Sequence, residues 1–220
     1  MGRDKAFVQV GGREMLDRLL EVGRSVSRDC VLVVNDPDPY REAVRRYGWE
    51  ARPAPAGGGG RFQRRAASLR LVTDRQPGLG PVAGMEAGLG AAERALCFVS
   101  ACDLPFLGAD VVTAVLRALD AHRAEAADPD RCAVVPVADG RRQPLAAAYA
   151  RGAAREAARC LEARELRMDD LLGRLEVRTV PAEELAGGDA AGGGGPFANV
   201  NSPEELRDAR RRAGSAGAGP

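Results

Sequence analysis

Leu96-Cys97-Phe98-Val99-Ser100-Ala101-Cys102-Asp103-Leu104-Pro105 is the stretch on which the reading of this 220-residue chain turns. Leu96 to Ala101 is a short, continuously apolar run, the pattern of a strand buried on both faces of a sheet. It leads to a carboxylate at Asp103, and Pro105 stiffens the exit and stops a helix from starting at once. Ligands of open α/β sheets bind where strands end. A carboxylate held there suits Mg²⁺, which keeps several waters and binds through one or two carboxylates plus substrate phosphates. The plainer use of an Asp in that place is a turn or a helix cap.

The same arrangement recurs on either side. Leu69 to Thr73 reads as a strand followed by Asp74, and Cys30 to Val34 as a buried strand followed by Asn35. Gly80, within Gly78-Leu79-Gly80-Pro81-Val82-Ala83-Gly84, stands six positions after Asp74. Those glycines let backbone approach a ligand closely before a helix over Pro81 to Ala92, whose first N–H groups can face an anion. Met15, Leu16, Leu19 and Leu20 share one helical face, as do Val111, Val112, Val115, Leu116 and Leu119. Asp38 to Tyr47, Ala153 to Leu161 and Leu166 to Leu172 read as further helices. Cys132 to Val137 is a strand with Gln143 to Tyr149 as its neighbour across the turn Asp139-Gly140, and Leu175 to Val180 is another strand. Ser202-Pro203-Glu204-Glu205 opens the last helix, with Ser as cap, Pro in the first helical position and Glu completing a capping box.

Strands alternating with helices predict an α/β fold of three layers, a mostly parallel sheet covered by helices on both faces. The length suits one domain, over residues 1–212. The runs Gly57 to Gly60 and Gly192 to Gly195 resemble phosphate loops, but neither directly follows a strand and opens a helix as such a loop must. They are expected as flexible insertions, the first within residues 53–68, and residues 213–220 as a disordered tail.

Composition sharpens the list of candidates. Lys5 is the only lysine, asparagine occurs only at Asn35, Asn199 and Asn201, and isoleucine is absent. All three have A/T-rich codons, so a GC-biased genome explains their scarcity, and a survivor is expected where Arg or Asp cannot substitute. Lysine offers a compact ammonium rather than a planar fork, and asparagine a neutral carbonyl beside an amide. The net charge of +1 and 4% aromatics suggest neither a nucleic-acid groove nor base-stacking platforms. No apolar run approaches the ~20 residues of a membrane span, and the N-terminal sequence lacks a signal-peptide core. Five cysteines with no CxxC read as buried structural thiols. His122, the lone histidine, reads as a surface residue. Together these features predict a cytoplasmic protein with no nucleic-acid or membrane partner.

MGRDKAF, VVND, TDRQPGLGPVAGMEAGL, VSACDLPFL, DGRRQPLAAAY and FANVNSPEEL occur in this order. The set resembles the molybdenum cofactor guanylyltransferases, nucleotidyltransferases with a Rossmann-like sheet, from Met1 to about Leu206. CDLP with the upstream GPxAG is shared by several sugar and cofactor nucleotidyltransferases. NVNSPEEL and QPL favour the guanylyltransferase branch.

The resemblance implies Mg²⁺-dependent transfer of GMP from GTP to molybdopterin with release of pyrophosphate, and molybdoenzymes or their chaperones as receivers of the product. It implies that Lys5 contacts nucleotide phosphates and that Asn35 and Asp74 bind the guanosine end. Asp103 would hold Mg²⁺ and the triphosphate, with Gly80 and Gly84 allowing close backbone approach. Asn199, Asn201 and Gln143 would serve the acceptor. The alternatives are a molybdopterin cytidylyltransferase, a nucleotidyltransferase for another small phosphorylated acceptor, or an inactive truncated homologue. The family opens with a strand and a glycine-rich LAGGxSxRMG loop ahead of the DK pair, and Met1 falls inside that loop. A start site assigned too far downstream is the economical explanation. For the sequence as it stands, the expectation is a gap between the Cys30–Val34 and Leu96–Ala101 strands.

Overall fold

The computed structural model describes residues 4–52, 60–74, 78–185 and 195–216. Asp4 caps a 3₁₀ turn, Lys5–Phe7, and a two-residue hairpin follows, β1 (Gln9–Val10) and β2 (Arg13–Glu14). Then come α1 (Met15–Val26), β3 (Asp29–Val34), α2 (Pro37–Arg46), β4 (Glu50–Arg52), β5 (Gly60–Arg64), β6 (Ala67–Thr73), α3 (Pro81–Ala91) and β7 (Leu96–Ser100). The second half holds α4 (Ala109–Glu125), β8 (Cys132–Ala138), β9 (Arg141–Arg142), β10 (Ala146–Ala150), α5 (Ala153–Ala163), α6 (Met168–Gly173), β11 (Glu176–Pro181), α7 (Ala182–Leu185) and α8 (Pro203–Ala216).

β10, Ala-Ala-Ala-Tyr-Ala, is buried at every position. Alternate residues face opposite sides: Ala146, Ala148 and Ala150 join Val111, Val115 and Leu119 of α4 in one cluster. Ala147 and Tyr149 join α3 and α5 in another. On β10 alanines alone face α4, Tyr149 fills the opposite cluster, and helices so cover both faces of the strand to make three layers. The order in this half is β11-β8-β10-β7, with β9 on β8. The other half runs β3-β6-β5-β4 over a third cluster that includes Leu16, Leu20, Trp49, Phe62, Leu69 and Leu71.

β3 and β7 share no ladder, and each ends its own sheet. A cavity of about 730 Å³ separates them, lined by both strands, α1 and α3. All of β7, and β3 up to Val33, stay only partly buried, where β10 is wholly covered. The expected gap is therefore present. α1 spans it on one face, with Leu16 and Leu20 in the β3 half and Leu19, Val22 and Val26 packed on the β7 half. α3 spans it on the other face, touching β3 and β6 while packing on β10 and α5.

Several expectations change. Pairing is mixed: β3·β6 and β8·β11 are parallel, but β10 runs antiparallel to both its neighbours and β4·β5 and β5·β6 are antiparallel. Tight turns cause this, since a strand returned by a few residues must run antiparallel. Asp139, at φ 50°, and Gly140, at φ 71°, form one such turn. The expected insertion shrinks, because Gly60–Arg64 pairs with Ala67–Leu71 and Phe62 is buried; residues 53–59, with Gly57 to Gly59, lie outside the described residues. α8 runs through Ala213 to Ala216, with Ala213 packed against the cluster of Val10, Met15, Val200 and Ala209. Residues 217–220, and Gly192 to Gly194, lie outside the described set. His122 sits within α4, its Nε2 3.0 Å from the Glu176 carbonyl oxygen.

Candidate functional site

Lys5 stands on the 3₁₀ turn, Asp103 just beyond β7 and Asn201 just ahead of α8, and the fold brings these three together. Lys5 Nζ lies 3.4 Å from Asp103 Oδ2 and donates to Asn201 Oδ1. The Lys5 side chain keeps 34% of its exposure and Asp103 16%, so the cluster is reachable from solvent but partly shielded. Buried Val200 holds the two loops together: its N–H donates to the Asp103 carbonyl at 3.0 Å. The compact ammonium fits between two converging oxygens in a way a guanidinium fork does not.

The Asn201 loop is fixed by the start of α8. Glu205 Oε2 accepts from Asn201 N at 2.6 Å and Ser202 N at 2.8 Å, and Ser202 Oγ accepts from Glu205 N at 3.1 Å. These backbone donors, Asn201 first, hold the Glu205 carboxyl below the usual range. Asn199, two residues earlier, is exposed.

A second group forms at the ends of β3 and β6. The parallel register sets Val34 opposite Thr73, so Asn35 and Asp74 leave the sheet side by side, and Asp74 N donates to Val34 O at 3.3 Å. Gly80 precedes α3 with φ 80° and ψ −162°, a conformation that glycine adopts without strain. Gly84, in the first turn of α3, lines the cavity and has nothing within 4 Å of the position a Cβ would take. Gln143 lies in the loop that enters β10 beside the end of β7, where Ala101 N donates to Leu145 O at 2.8 Å. The Gln143 N–H donates to Pro136 O at 2.8 Å and its Nε2 to Arg141 O at 3.3 Å, which ties it into the β8–β10 connection.

Among the described residues no three His, Cys, Asp or Glu side chains gather as metal ligands. A protein cage for zinc or calcium is not formed by them. One carboxylate and one amide oxygen converging on a cation fit Mg²⁺, whose other ligands come from water and phosphates, and the Lys5 ammonium stands where positive charge is wanted. Cys102, beside Asp103, is no nucleophile here: burial, then the Asp103 charge, pushes its thiol up to about 11.

Asp4 of the DK pair supports the cluster together with Tyr40, which no motif includes. Asp4 Oδ2 accepts from the Tyr40 hydroxyl at 2.6 Å, and the Tyr40 ring lies 5.0 Å from that of Phe7. Nothing local in the sequence marks Tyr40, since it meets Asp4 only through the fold.

A family model described as MobA-like NTP transferase domain matches residues 1–179. The chain is 30% identical over 219 residues to a molybdenum cofactor guanylyltransferase of Desulfosudis oleivorans, covering 94% of this chain and 86% of that one. It is 35% identical over 142 residues to a probable molybdenum cofactor guanylyltransferase of Bacillus licheniformis, covering 63% and 65%. The fold is similar to the crystal structure of molybdopterin-guanine dinucleotide biosynthesis protein A from Archaeoglobus fulgidus, with a TM-score of 0.68 and 25% identity over 97% of this chain and 92% of that one. Sequence and fold agree, and the chain belongs to the MobA-like NTP transferases, a family of nucleotidyltransferases.

Proposed function

We propose that this nucleotidyltransferase moves GMP from GTP to the terminal phosphate of molybdopterin, in the cytoplasm and with Mg²⁺. A phosphate oxygen of the acceptor forms a bond to the α-phosphorus of GTP, the bond from that phosphorus to the β-phosphate oxygen breaks, and pyrophosphate leaves with the electron pair. The attacking oxygen is already an anion, so no general base is required. Bound Mg²⁺ supplies charge neutralisation on the phosphate oxygens and is held by Asp103. Lys5, held beside Asp103, offers its ammonium to the phosphates and offsets the charge that develops on the leaving group. Asn35 and Asp74 take the guanosine end, with Asp74 accepting from guanine N–H groups, and Gly80 and Gly84 leave the nucleotide room against the α3 backbone. Asn199, Asn201 and Gln143 receive the acceptor, and the product passes to molybdoenzymes or their chaperones.

The observation that carries this reading is the meeting of Lys5, Asp103 and Asn201 from three remote segments. Only the fold joins them, and each side chain suits phosphate and metal chemistry. The test is pyrophosphate release with molybdopterin and GTP, CTP or ATP in turn. GTP should be used at least tenfold better, because a buried polar group left unpaired penalises the wrong base. Equal rates with CTP reject the guanylyl assignment and leave the family intact.

The cavity between β3 and β7 favours a second reading, a chain that binds nucleotide without turning it over. GTP binding with no pyrophosphate release, at any Mg²⁺ concentration, would establish that alternative.

A further inference from the structure

Lys5 reaches Asp103 from a 3₁₀ turn of only three residues. So short a turn has little cooperativity of its own, and a lysine stem is flexible, so something else must hold the ammonium in place. Both oxygens of Asp4 do so. Oδ1 accepts from Ala6 N at 3.0 Å and shapes the turn, while Oδ2 accepts from the Tyr40 hydroxyl at 2.6 Å. The second distance is that of a charge-assisted O–H···O⁻ bond. Tyr40 belongs to α2, on the β3 side of the cavity, and its ring packs on Phe7 at the end of the turn. Asp103 and Asn201 belong to the β7 side. The neighbours Asp4 and Lys5 therefore grip opposite sides of the gap, one through Tyr40 and the other through the cluster. Burial, then the hydrogen bond to Asp4, pushes the Tyr40 hydroxyl up from its usual range, so it remains a donor throughout the neutral range.

We propose that Asp4 and Tyr40 are positioning residues that fix the Lys5 ammonium at Asp103 and so set the turnover rate through Lys5. The proposal rests on the reading of Lys5 as the phosphate contact. Neither residue touches the reacting atoms. Their effect is geometric, since a small misplacement of a charge that must meet a developing anion costs rate more than it costs binding.

The test uses the fact that Lys5 is the only lysine. Protein labelled with ¹⁵N-lysine gives one side-chain ammonium signal, read without any substrate. Tyr40→Phe removes the hydroxyl and keeps the ring on Phe7. In this variant the Lys5 signal should shift toward that of a free lysine and exchange its protons faster. The kcat should fall roughly tenfold, with KM for GTP changed less than twofold. Asp4→Asn keeps an acceptor for Ala6 and should lie between wild type and Tyr40→Phe. In a Lys5→Ala background Tyr40→Phe should cost no further rate, because an effect that acts through Lys5 vanishes with it. A Lys5 signal unchanged in both variants, or a shifted signal with kcat intact, would falsify the proposal. Should the wild-type chain itself release no pyrophosphate, a shifted signal still supports the positioning, and it is the proposed function that fails.

Discussion

Asp103 is held half-buried opposite Lys5, and Asp103→Asn removes its charge while keeping its shape. The expected loss is at least ~3 kcal/mol of transition-state stabilisation, about a hundredfold or more in kcat, the scale of losing one preorganised electrostatic partner. Melting should move little, because an ion pair this accessible contributes little stability. Steady-state pyrophosphate release beside a melting curve checks both, and near-normal turnover would put the metal elsewhere. Glu205 carries a pH prediction. Its folded-state pKa is depressed, so its contribution is complete above the ordinary carboxylate range and is lost as pH falls through the depressed value. Activity should drop there as the Asn201 loop is released, and Glu205→Gln should lower activity at neutral pH while flattening that acid limb. An unchanged acid limb in Glu205→Gln assigns the drop to another group. Scarcity made Lys5 and Asn201 legible before any fold was known. Tyr40, and with it the role of Asp4, stayed hidden, because their value lies in one hydrogen bond between distant segments.

Among the elements, α3 depends on how it begins. Gly80 holds φ 80° and ψ −162° immediately before Pro81, and a side chain there is strained whatever space surrounds it. Gly80→Ala should cost about 1–3 kcal/mol, seen as a lower Tm. Gly84→Ala meets open space and suits a helix, so it should leave Tm unchanged or slightly raised. If Gly84 leaves the nucleotide room, that variant still weakens GTP binding several-fold, and a titration on the folded variant separates stability from binding. Helix starts were readable where a cap chemistry announced them, as at Ser202 to Glu205. The β4–β5 ribbon was not, because residues 50–64 are rich in Arg, Gly and Ala and carry only Phe62 as a deeply buried anchor of β5.

At the scale of the molecule, the unpaired edges of β3 and β7 set the stability. Two half-sheets with separate cores are joined mainly by α1, α3 and the Asp4–Lys5 turn. Trp49, the single tryptophan, is buried in the β3 half, so its fluorescence reports on that half alone. In urea its transition should precede the loss of helical signal, a breakdown of two-state behaviour; coincident transitions would show the halves unfold as one. The apolar cavity of about 730 Å³ should bind a hydrophobic dye such as ANS in the native state. An extended form that adds an apolar strand and glycine loop ahead of residue 1 should lose dye binding, melt higher and release pyrophosphate faster. Equal melting and activity in the two forms would show that the gap costs nothing.

Alternating apolar strands and amphipathic helices were enough for the α/β class, since burial on two faces leaves a local, periodic trace in the residues. The identities of Lys5, Asp74, Asp103 and Asn201 were also local facts, marked by composition and by their places at strand ends. Direction and partnership left no such trace. That β10 runs antiparallel between β8 and β7 depends on turn length and packing. That Ala213 continues a helix depends on a cluster that includes Val10 and Met15, two hundred residues away or nearly so. Asp4 meeting Tyr40, and Lys5 meeting Asp103, are long-range contacts whose energy exists only once the chain has closed on itself.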